Sequence, residues 1–481
     1  MSKLTHYPHM VAGDIQPSDV TQVFSPFDRQ PIATIDTVDA QGVEQALQIA
    51  RGVYENRDSW LTPSDRIDIL KRAAEIMQER FEVLAVEAAR EGGKPLPDSR
   101  VEVARAIDGM HICIETLRTE AGEEIPMGVN PASVGRLAFT HREPIGVVVA
   151  VSAFNHPLNL IVHQVAPAVA VGCPVIVKPA EDTPLSCMRF IEILREAGLP
   201  AGWAQALMTT DHEVAGRLVT DSRVDFFSFI GSARVGWWLR SQLAPGTRCA
   251  LEHGGAAPVI IESDADLTEA LPLLAKGAFY HAGQVCVSVQ RVFAHNDIVR
   301  QVAEGLAAEG MKMTIGDPTQ AETDIGPMIR PGEVERVDEW AREAVADGAE
   351  LICGGKPVSE TCYPATVLLN PPAEARVSTM EVFGPVVCVY GFDEMDQAIE
   401  QANALPYAFQ AAVFTNNLQR ALRGYKRLNA SAVMINDFTA FRVDWMPFAG
   451  LRQSGLGVGG IPHTMRDMQV EKMVVIRSPE L

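Results

Sequence analysis

The 481-residue chain has eight cysteines, but no two of them are spaced as C-x-x-C. That spacing is typical of zinc sites and thiol–disulfide redox pairs, so neither is predicted, and no other metal site is indicated. Unpaired, reduced cysteines are typical of a cytoplasmic protein. The N-terminal residues also lack the apolar core of a secretory signal, which agrees with a cytoplasmic location.

Long apolar runs and an excess of basic residues are also missing. The longest apolar stretch, residues 161–177, is interrupted by His163, Gln164 and Pro167, so no membrane span is predicted. The chain has 41 Lys and Arg against 61 Asp and Glu, a net charge of −20. A surface of that sign repels phosphate backbones and anionic lipids, which excludes nucleic acid and membrane as expected partners. The net charge does not exclude small anionic substrates, because their binding depends on the charge near the site.

What the chain does contain is a repeated alternation of strand-like and helix-like segments. It starts with a buried strand at 144–152, and a helix at 183–197 is predicted to have Thr183 as its N-cap. A second alternating set occupies about 265–435. This rhythm predicts parallel, doubly wound α/β sheets. The length is enough for about three domains of roughly 150 residues each.

Residues 119–143 break this rhythm, because five glycines and prolines fall within them. We predict an extended hairpin that projects from the body. Near the C-terminus, residues 471–477 have the apolar content of an edge strand.

Cys286 is the first candidate for chemistry. It follows a Gly-Gln turn and precedes an apolar alternating run, and a thiol at such a junction can act as a nucleophile. A lone cysteine is more often a buried structural side chain. However, Glu252 stands beside the pair Gly254-Gly255, and Asn155 ends a long apolar run. A thiol, a carboxylate base and an amide donor are the parts that thioester chemistry needs.

Two glycine-rich segments are candidates for a dinucleotide cradle. Gly231 and Gly236 follow a predicted strand and open a helix, where a backbone can approach a pyrophosphate and the helix N-terminus attracts its charge. Residues 455–460 fit G-x-G-x-x-G, but no predicted strand precedes them and Pro462 follows, so a loop is predicted there.

Seven motifs, taken together and in this order, resemble the NAD(P)-dependent aldehyde dehydrogenase superfamily over nearly the whole chain. They are Phe154-Asn155-His156-Pro157, Lys178-Pro179-Ala180-Glu181, Phe229-Ile230-Gly231-Ser232, Leu251-Glu252-His253-Gly254-Gly255, Gly283-Gln284-Val285-Cys286, Glu381-Val382-Phe383-Gly384-Pro385 and Pro447-Phe448-Ala449-Gly450. The resemblance implies an aldehyde dehydrogenase-like α/β fold with two doubly wound α/β domains and a small β oligomerisation extension. The implied boundaries are 1–118 and 144–253 for the NAD-binding domain, 254–445 for the catalytic domain, 119–143 and 463–481 for the extension, and 446–462 for a loop returning to the NAD-binding domain.

The resemblance also implies a role for each catalytic candidate. Cys286 attacks an aldehyde as the thiolate, and the Asn155 side chain and the Cys286 backbone N–H hold the resulting oxyanion. Glu252 activates the water that hydrolyses the thioester. The product is a carboxylate.

The cofactor residues that the resemblance implies are Lys178, Glu181, Gly231, Ser232, Glu381 and Phe383. A carboxylate at Glu181 can accept hydrogen bonds from ribose hydroxyls and repels a 2′-phosphate, so NAD is expected rather than NADP.

The sequence gives less information about the identity of the substrate. The motifs look most like the branch acting on lactaldehyde, glyceraldehyde 3-phosphate and phosphonoacetaldehyde. Arg442, Arg105 and His156 are candidates for the entrance to a site for a small polar or anionic aldehyde, since arginine binds carboxylate or phosphate through paired hydrogen bonds. Phe441 and Trp445 instead favour an apolar or aromatic aldehyde.

Two histidines depart from the usual pattern of the family. His253 follows the candidate base and His281 precedes the candidate nucleophile. Both are predicted to pack with their hydrogen bonds satisfied.

Three other functions remain open on the same fold. A CoA-acylating semialdehyde dehydrogenase does not need the general base, so Glu252 argues against it. A reductase of the glutamyl-phosphate type has no reason to keep Glu252 and Glu381. A non-enzymatic member would not need the full catalytic set. Family members form homodimers or homotetramers, and the exposed strand edge of the extension is expected to pair with another subunit.

Overall fold

The computed structural model of the protein describes residues 4–481. The strands are β1 (Thr5–Tyr7), β2 (Asp19–Phe24), β3 (Pro31–Thr37), β4 (Glu124–Ile125), β5 (Arg136–Pro144), β6 (Val148–Val151), β7 (Val175–Lys178), β8 (Ala204–Ala206), β9 (Phe226–Ile230), β10 (Arg248–Glu252), β11 (Ala257–Ile261), β12 (Val289–His295), β13 (Glu350–Cys353), β14 (Thr366–Leu369), β15 (Val386–Phe392), β16 (Tyr407–Ala408), β17 (Gln410–Phe414), β18 (Ala432–Ile435), β19 (Leu451–Arg452), β20 (Gly455–Leu456) and β21 (Gln469–Arg477).

The helices are α1 (Ala40–Glu55), α2 (Pro63–Glu79), α3 (Phe81–Gly92), α4 (Leu96–Thr119), α5 (Asn159–Val171), α6 (Leu185–Glu196), α7 (His212–Thr220), α8 (Ala233–Ser241), α9 (Leu267–Phe279), α10 (Val299–Lys312), α11 (Pro331–Ala346), α12 (Arg376–Thr379), α13 (Met395–Asn403), α14 (Leu418–Arg427) and α15 (Ile461–Asp467). Among the residues described, none of these helices is long and apolar enough to cross a membrane.

The first large sheet has the strand order β20-β10-β9-β6-β7-β8, and all of its strands are parallel except β20. From β6 the chain moves to one edge through β7 and β8, and then returns to the other side of β6 for β9 and β10. The order therefore reverses between β6 and β9. In doubly wound sheets, ligands bind in the crevice at the carboxyl ends of the strands beside such a switch point.

The second large sheet has the order β13-β14-β15-β12-β11-β17-β18, and only β13 runs antiparallel to its neighbour. Only four residues separate the end of β10 from the start of β11. The carboxyl edge of the first sheet consequently adjoins the amino edge of the second, where β11, β12 and β15 begin. The seam between the two edges holds the candidate site.

Each large sheet has its own apolar core. Helix α5 is apolar on all sides and fully buried, because it lies between the first sheet and helices α2, α4, α6 and α15. The prediction of two doubly wound α/β sheets is confirmed. The predicted buried strand at 144–152 corresponds to β6, which is shorter because Pro144 still belongs to β5.

The predicted hairpin and C-terminal strand come together as one small antiparallel sheet. Its order is β21-β5-β4, and β21 pairs with β5 over its full length, from Gln469 opposite Pro144 to Arg477 opposite Arg136. Residues 473–476 of β21 are apolar and exposed. This sheet therefore presents an apolar strand at one edge.

The start of α6 differs from the prediction. The helix begins at Leu185, and Thr183 is not its N-cap; the hydroxyl of Thr183 is buried without a partner among the described residues. The cap is instead the Glu91 carboxylate at the end of α3, which accepts hydrogen bonds from the backbone N–H groups of Leu185 and Ser186 at 2.7 and 2.8 Å and from the Ser186 hydroxyl. A buried carboxylate that is remote in sequence therefore caps the helix, where a neighbouring side chain was expected to do so.

We predict that Glu91→Ala lowers the free energy of unfolding by about 2–3 kcal/mol, because it leaves two buried N–H donors and a hydroxyl without their acceptor. Equilibrium urea denaturation measures the loss. Glu115→Ala, on the exposed face of α4, is the matched control and should change stability by less than about 0.5 kcal/mol. Equal stability of the two variants would contradict the capping role.

Candidate active site

The seam between the two sheets brings together Asn155, Glu252 and Cys286, which lie on three separate segments. Asn155 follows β6, Glu252 ends β10, and Cys286 precedes β12. The Asn155 Nδ2 donates a hydrogen bond to the Gln284 carbonyl at 2.9 Å, two residues before the thiol. The charge of Glu252 in turn raises the pKa of Cys286, which places the carboxylate near the sulfur.

The loop that carries Asn155 is fixed by a buried carboxylate. Glu102 of α4 accepts hydrogen bonds from the backbone N–H groups of Leu158 and Asn159 at 2.9 Å each. Lys94 forms an ion pair with Glu102 and donates to His156 Nδ1 at 2.6 Å. Both charged side chains are almost fully buried. Lys94 and Glu102 were not anticipated from the sequence, where neither stands in a recognisable motif.

Cys286 is half-buried and packs in an apolar cluster with Val285, Val287, Phe409 and Phe448. Burial raises the pKa of the thiol to about 12, the negative charge of Glu252 adds to this effect, and Arg442 opposes it. The resting thiol is therefore protonated. A thiolate forms only when a base accepts the proton or a positive charge arrives beside it.

The turn before Cys286 has an unusual backbone. His281 and Ala282 have φ values of 50° and 53°, in the left-handed region that side chains other than glycine rarely adopt. His281 is fully buried, and neither ring nitrogen has a hydrogen-bond partner within residues 4–481. The prediction that His281 packs with satisfied hydrogen bonds is wrong. Burial and the nearby Lys94 charge hold the pKa of His281 well below its usual value, so the ring is neutral.

Glu252 lies in an apolar setting that suits a base. Burial raises the pKa of its carboxyl group, and Arg442 opposes the rise. A Cβ at Gly459 would lie 2.2 Å from Glu252 Oε1, so only glycine leaves room for the carboxylate in this position. The glycine-rich run predicted as a loop contains the two-residue strand β20, which pairs with Leu251 and Glu252. It packs directly against the candidate base.

His253 follows Glu252 and points to the other side of the strand. Its Nδ1 donates to the Gly231 carbonyl at 2.8 Å, and its ring packs between Phe229 and Trp237 at centroid distances of 5.7 and 5.9 Å. The Nε2 atom is buried without a partner among the described residues. The predicted packing is thus present, but only one ring nitrogen is satisfied.

Glu381 lies next to the turn that joins the two sheets. It accepts a hydrogen bond from the Gly255 N–H at 3.2 Å, and burial raises its pKa to about 8. A Cβ at Gly254 would lie 1.6 Å from Glu381 Oε1, which explains why the turn needs glycine. Phe383, with φ 49°, packs edge-on against Phe154 at 5.9 Å.

The remaining cofactor candidates line the carboxyl edge of the first sheet. Ser232 precedes α8, and its hydroxyl makes no capping hydrogen bond, so the hydroxyl and the first N–H groups of the helix stay available beside the switch point. Lys178 Nζ, at the end of β7, lies 3.6 Å from Glu181. A helix N-terminus with a free hydroxyl fits a pyrophosphate, and the lysine–carboxylate pair fits ribose hydroxyls. These residues fit a dinucleotide.

The substrate candidates form a buried charge cluster. Arg105 binds Asp444 through two hydrogen bonds at 3.0 and 2.6 Å, and His163 Nε2 lies 2.7 Å from the same carboxylate. These partners hold the pKa of Asp444 well below its usual range. The sequence did not indicate Asp444. Its carboxylate accepts hydrogen bonds from the Arg105 guanidinium and so takes up those donors.

Arg442 is the member of this cluster with free donors. Its guanidinium lies 3.6 Å above the Phe448 ring, and its Nε is buried without a hydrogen-bond partner in the part of the chain that the structure describes. The charges of Glu252 and Cys286 both raise its pKa, whereas burial lowers it. The Arg442 Nε lies 3.9 Å from Asp444 Oδ1, and the Arg442 Nη2 lies 3.4 Å from His163 Nδ1. Arg442 thus places a positive charge, shared with Asp444, beside the candidate base and thiol.

Comparison with known proteins agrees with this geometry. The model of the aldehyde dehydrogenase family matches residues 15–474. The 3-sulfolactaldehyde dehydrogenase of Priestia aryabhattai is 38% identical over 455 residues, covering 95% of this chain and 94% of the relative.

Two solved structures are also similar over nearly their whole length. Aldehyde dehydrogenase 21 of Physcomitrella patens, in complex with the reaction product succinate, has a TM-score of 0.94 with 32% identity and covers 99% of both chains. Glyceraldehyde-3-phosphate dehydrogenase of Methanocaldococcus jannaschii, complexed with NADP, has a TM-score of 0.90 with 32% identity and covers 95% of this chain and 99% of that one. The chain belongs to the aldehyde dehydrogenase family, and it oxidises an aldehyde with NAD or NADP as its cofactor.

Proposed function

We propose that this enzyme oxidises a small anionic aldehyde to a carboxylate with NAD, through a thioester on Cys286 that water hydrolyses. The observation that carries the proposal is that Cys286, Glu252 and Arg442 meet around Phe448. Arg442 lies 3.6 Å above the Phe448 ring, and Cys286 packs in the same apolar cluster. Glu252 lies against Gly459, which is hydrogen-bonded to the Phe448 backbone. A nucleophile, a base and an anion-binding group at one point are what this reaction needs.

In the first step the Cys286 thiol loses its proton to solvent water in the seam, with Arg442 favouring the thiolate. The thiolate sulfur then bonds to the aldehyde carbon, and the carbonyl electron pair moves onto oxygen. The Asn155 amide has two N–H bonds. One of them is used on the Gln284 carbonyl, which fixes the orientation of the amide, and the second is free for the oxyanion. The Cys286 N–H is the other donor. Preorganised donors of this kind stabilise a developing oxyanion strongly because they need no reorganisation.

The cofactor, when bound, accepts the hydride from the aldehyde carbon, which leaves a thioester on Cys286. Glu252 then takes a proton from a water molecule as the water oxygen attacks the thioester carbon. The carbon–sulfur bond breaks and the thiolate leaves; the second water proton then moves from the new carboxylic acid to the sulfur, which gives the carboxylate product and the regenerated thiol. A raised pKa makes Glu252 a better base towards water than an exposed carboxylate. The presence of this base favours water over CoA as the acyl acceptor.

For the cofactor, we assign Lys178 and Glu181 to the adenosine ribose and Ser232 with the Gly231 turn to the pyrophosphate. Glu381 and Phe383 contact the nicotinamide side. The Glu181 carboxylate supports NAD, since it would repel a 2′-phosphate. The relative complexed with NADP shows that proteins of this fold also take the phosphorylated cofactor.

Three proteins with which the chain compares well support an anionic substrate. Their names refer to 3-sulfolactaldehyde, to glyceraldehyde 3-phosphate and to the product succinate, which all carry a negative group. In this chain Arg442 is the guanidinium with free donors, so we assign it to that group. Arg105 is hydrogen-bonded to Asp444, so we assign it an indirect role in substrate binding. His156, which is hydrogen-bonded to Lys94, is assigned to the lining of the same region.

The wider organisation follows from the same assignment. We assign residues 1–118 and 144–253 to the NAD-binding domain, 254–445 to the catalytic domain, 119–143 and 463–481 to the oligomerisation extension, and 446–462 to the returning loop. The exposed apolar edge of β21 supports pairing with another subunit in a homodimer or homotetramer. Eight free cysteines support a cytoplasmic location.

Cys286→Ala should reduce aldehyde oxidation by at least about 10³-fold while cofactor binding persists, because the nucleophile is lost but the dinucleotide crevice is intact. NADH formation and cofactor titration by fluorescence measure the two properties. Cys249→Ala, which removes a half-buried thiol from β10, should keep the normal rate. Substantial turnover by the Cys286 variant would reject the nucleophile assignment.

Glu252→Gln should still give a rapid burst of NADH, but its steady turnover should fall by about 10²-fold, because thioester hydrolysis lacks its base. Stopped-flow absorbance separates the two phases. Glu262→Gln changes another buried carboxyl group with a raised pKa, at the far end of β11, and should leave both phases normal. An unchanged steady rate in the Glu252 variant would show that another group deacylates the enzyme.

Arg442→Met should raise KM for anionic aldehydes about 10–100-fold more than KM for apolar aldehydes, the cost of a lost charge-assisted hydrogen bond. Because the variant also raises the pKa of Cys286 and Glu252, kcat should change similarly for both classes of aldehyde. The measurement is NADH formation on carboxylated, phosphorylated, sulfonated, hydroxylated and apolar aldehydes, with NAD or NADP and with or without CoA. Arg376→Met removes an arginine that also stacks on an aromatic ring, Trp340, and serves as control. Equal KM changes for all aldehydes, or a requirement for CoA, would overturn the proposal.

A further inference from the structure

A small cavity adjoins Glu252. Its volume is about 10 Å³; its polar lining residues include Glu252, Gln164, Ser228, Thr464 and Asp467, and apolar side chains make up most of the remaining wall. A space of this size with several polar partners holds about one water molecule. The cavity therefore offers the Glu252 carboxylate a neighbour other than the substrate.

Gln164 supports the presence of a hydrogen-bond donor in this cavity. Its Nε2 donates to the carbonyls of Val151 and Ser228, both at 3.2 Å, and to the Ser228 hydroxyl at 3.0 Å. Its Oε1 is buried and has no partner among residues 4–481. A buried amide oxygen without a donor is costly, so a water molecule that donates to Oε1 is the natural occupant.

Asp467 connects this cavity to the outside. It lines the inner cavity and also an open pocket of about 700 Å³ on the surface, whose walls include Arg240, Arg248 and Arg466. The nearby Val458 backbone N–H lowers the pKa of the Asp467 carboxyl group. Asp467 is thus a half-buried acid placed between the cavity beside the base and bulk solvent.

We propose that Asp467 receives the proton that Glu252 takes from the hydrolytic water and releases it into the outer pocket. This inference rests on the proposed role of Glu252 as deacylation base. It identifies Asp467 as a positioning and relay residue, which touches neither the aldehyde nor the cofactor.

The proton balance requires such a route. When the water oxygen bonds to the thioester carbon, one water proton moves to Glu252 and the thiolate leaves. Glu252 must lose that proton before the next turnover, yet its front side faces the substrate and the half-buried Cys286. A cavity water accepts the proton from Glu252 and passes one of its own to Asp467. Nothing is oxidised or reduced in this relay.

The charges around the two acids allow the proton to move in both directions. Burial raises the pKa of Glu252 and also that of Asp467. Arg442 opposes the rise at Glu252. His463 and Arg466, from α15 itself, and Arg248, from β10, oppose it at Asp467. Burial thus favours the protonated form of both acids, so each of them can hold the proton in turn.

Asp467→Asn tests the relay, because asparagine keeps the shape and an oxygen near the Val458 N–H but cannot take up a proton. We expect the NADH burst to keep its normal rate and amplitude, while steady turnover falls by about tenfold and regains part of its rate as the concentration of a small buffer such as imidazole rises. The solvent deuterium isotope effect on steady turnover should increase. The intact burst also shows that the variant is folded.

Asp225→Asn is the matched control, since Asp225 is likewise half-buried, has a raised pKa and accepts a backbone N–H, that of Val147, at the opposite end of β9. Thr464→Val is a second variant that makes the cavity less polar without touching either acid, and it should also slow steady turnover. Normal steady rates in both the Asp467 and Thr464 variants would overturn the relay. A normal steady rate in Glu252→Gln would instead overturn the proposed function on which it rests.

Discussion

The structure depends on one constraint: a thiol, carboxylates and a guanidinium share a seam between two sheets from which most solvent is excluded. In such a place each charged form is costly, so each group takes its protonation state from its neighbours. Arg442 lowers the cost of a negative charge on Glu252 and on Cys286, and they do the same for its positive charge. The pKa values therefore belong to the cluster, and a change in one member alters the others.

The seam also leaves little space for additional side-chain atoms. Gly254 and Gly459 are needed because the carboxylates of Glu381 and Glu252 lie where a Cβ would be. Glu252 reaches the seam from the end of β10 and Glu381 from the loop between α12 and β15, and each carboxylate lies against a glycine of another segment. A side chain at either glycine would displace the carboxylate from its present position. The motif glycines therefore set the positions of acids, in addition to any contact with the cofactor.

Local patterns in the sequence placed Asn155, Glu252 and Cys286 at the ends of strands, but they did not single these residues out. Their assignment came from the resemblance of the surrounding motifs to the aldehyde dehydrogenase superfamily. Long-range partners could not be foreseen. Arg105 and Asp444 are 339 positions apart, and nothing at either position marks the other. The prediction of the N-cap of α6 was wrong for the same reason. Thr183 is a residue type that often caps helices, but the hydrogen-bond acceptor is the carboxylate of Glu91, which is remote in sequence. The left-handed turn at His281 was hidden because that residue type rarely adopts it.

The late position of helix α15 in the chain affects the order in which the packing of the enzyme is completed during synthesis. It packs against α4 and α5, and α5 follows the loop that carries Asn155. Every other helix of the first domain precedes α15 by more than 200 residues of synthesis. While the ribosome is still producing the second sheet, the buried face of α5 lacks one of its walls and the crevice lacks its rear boundary. The packing around α5 is therefore completed only after residues 461–477 have been synthesised.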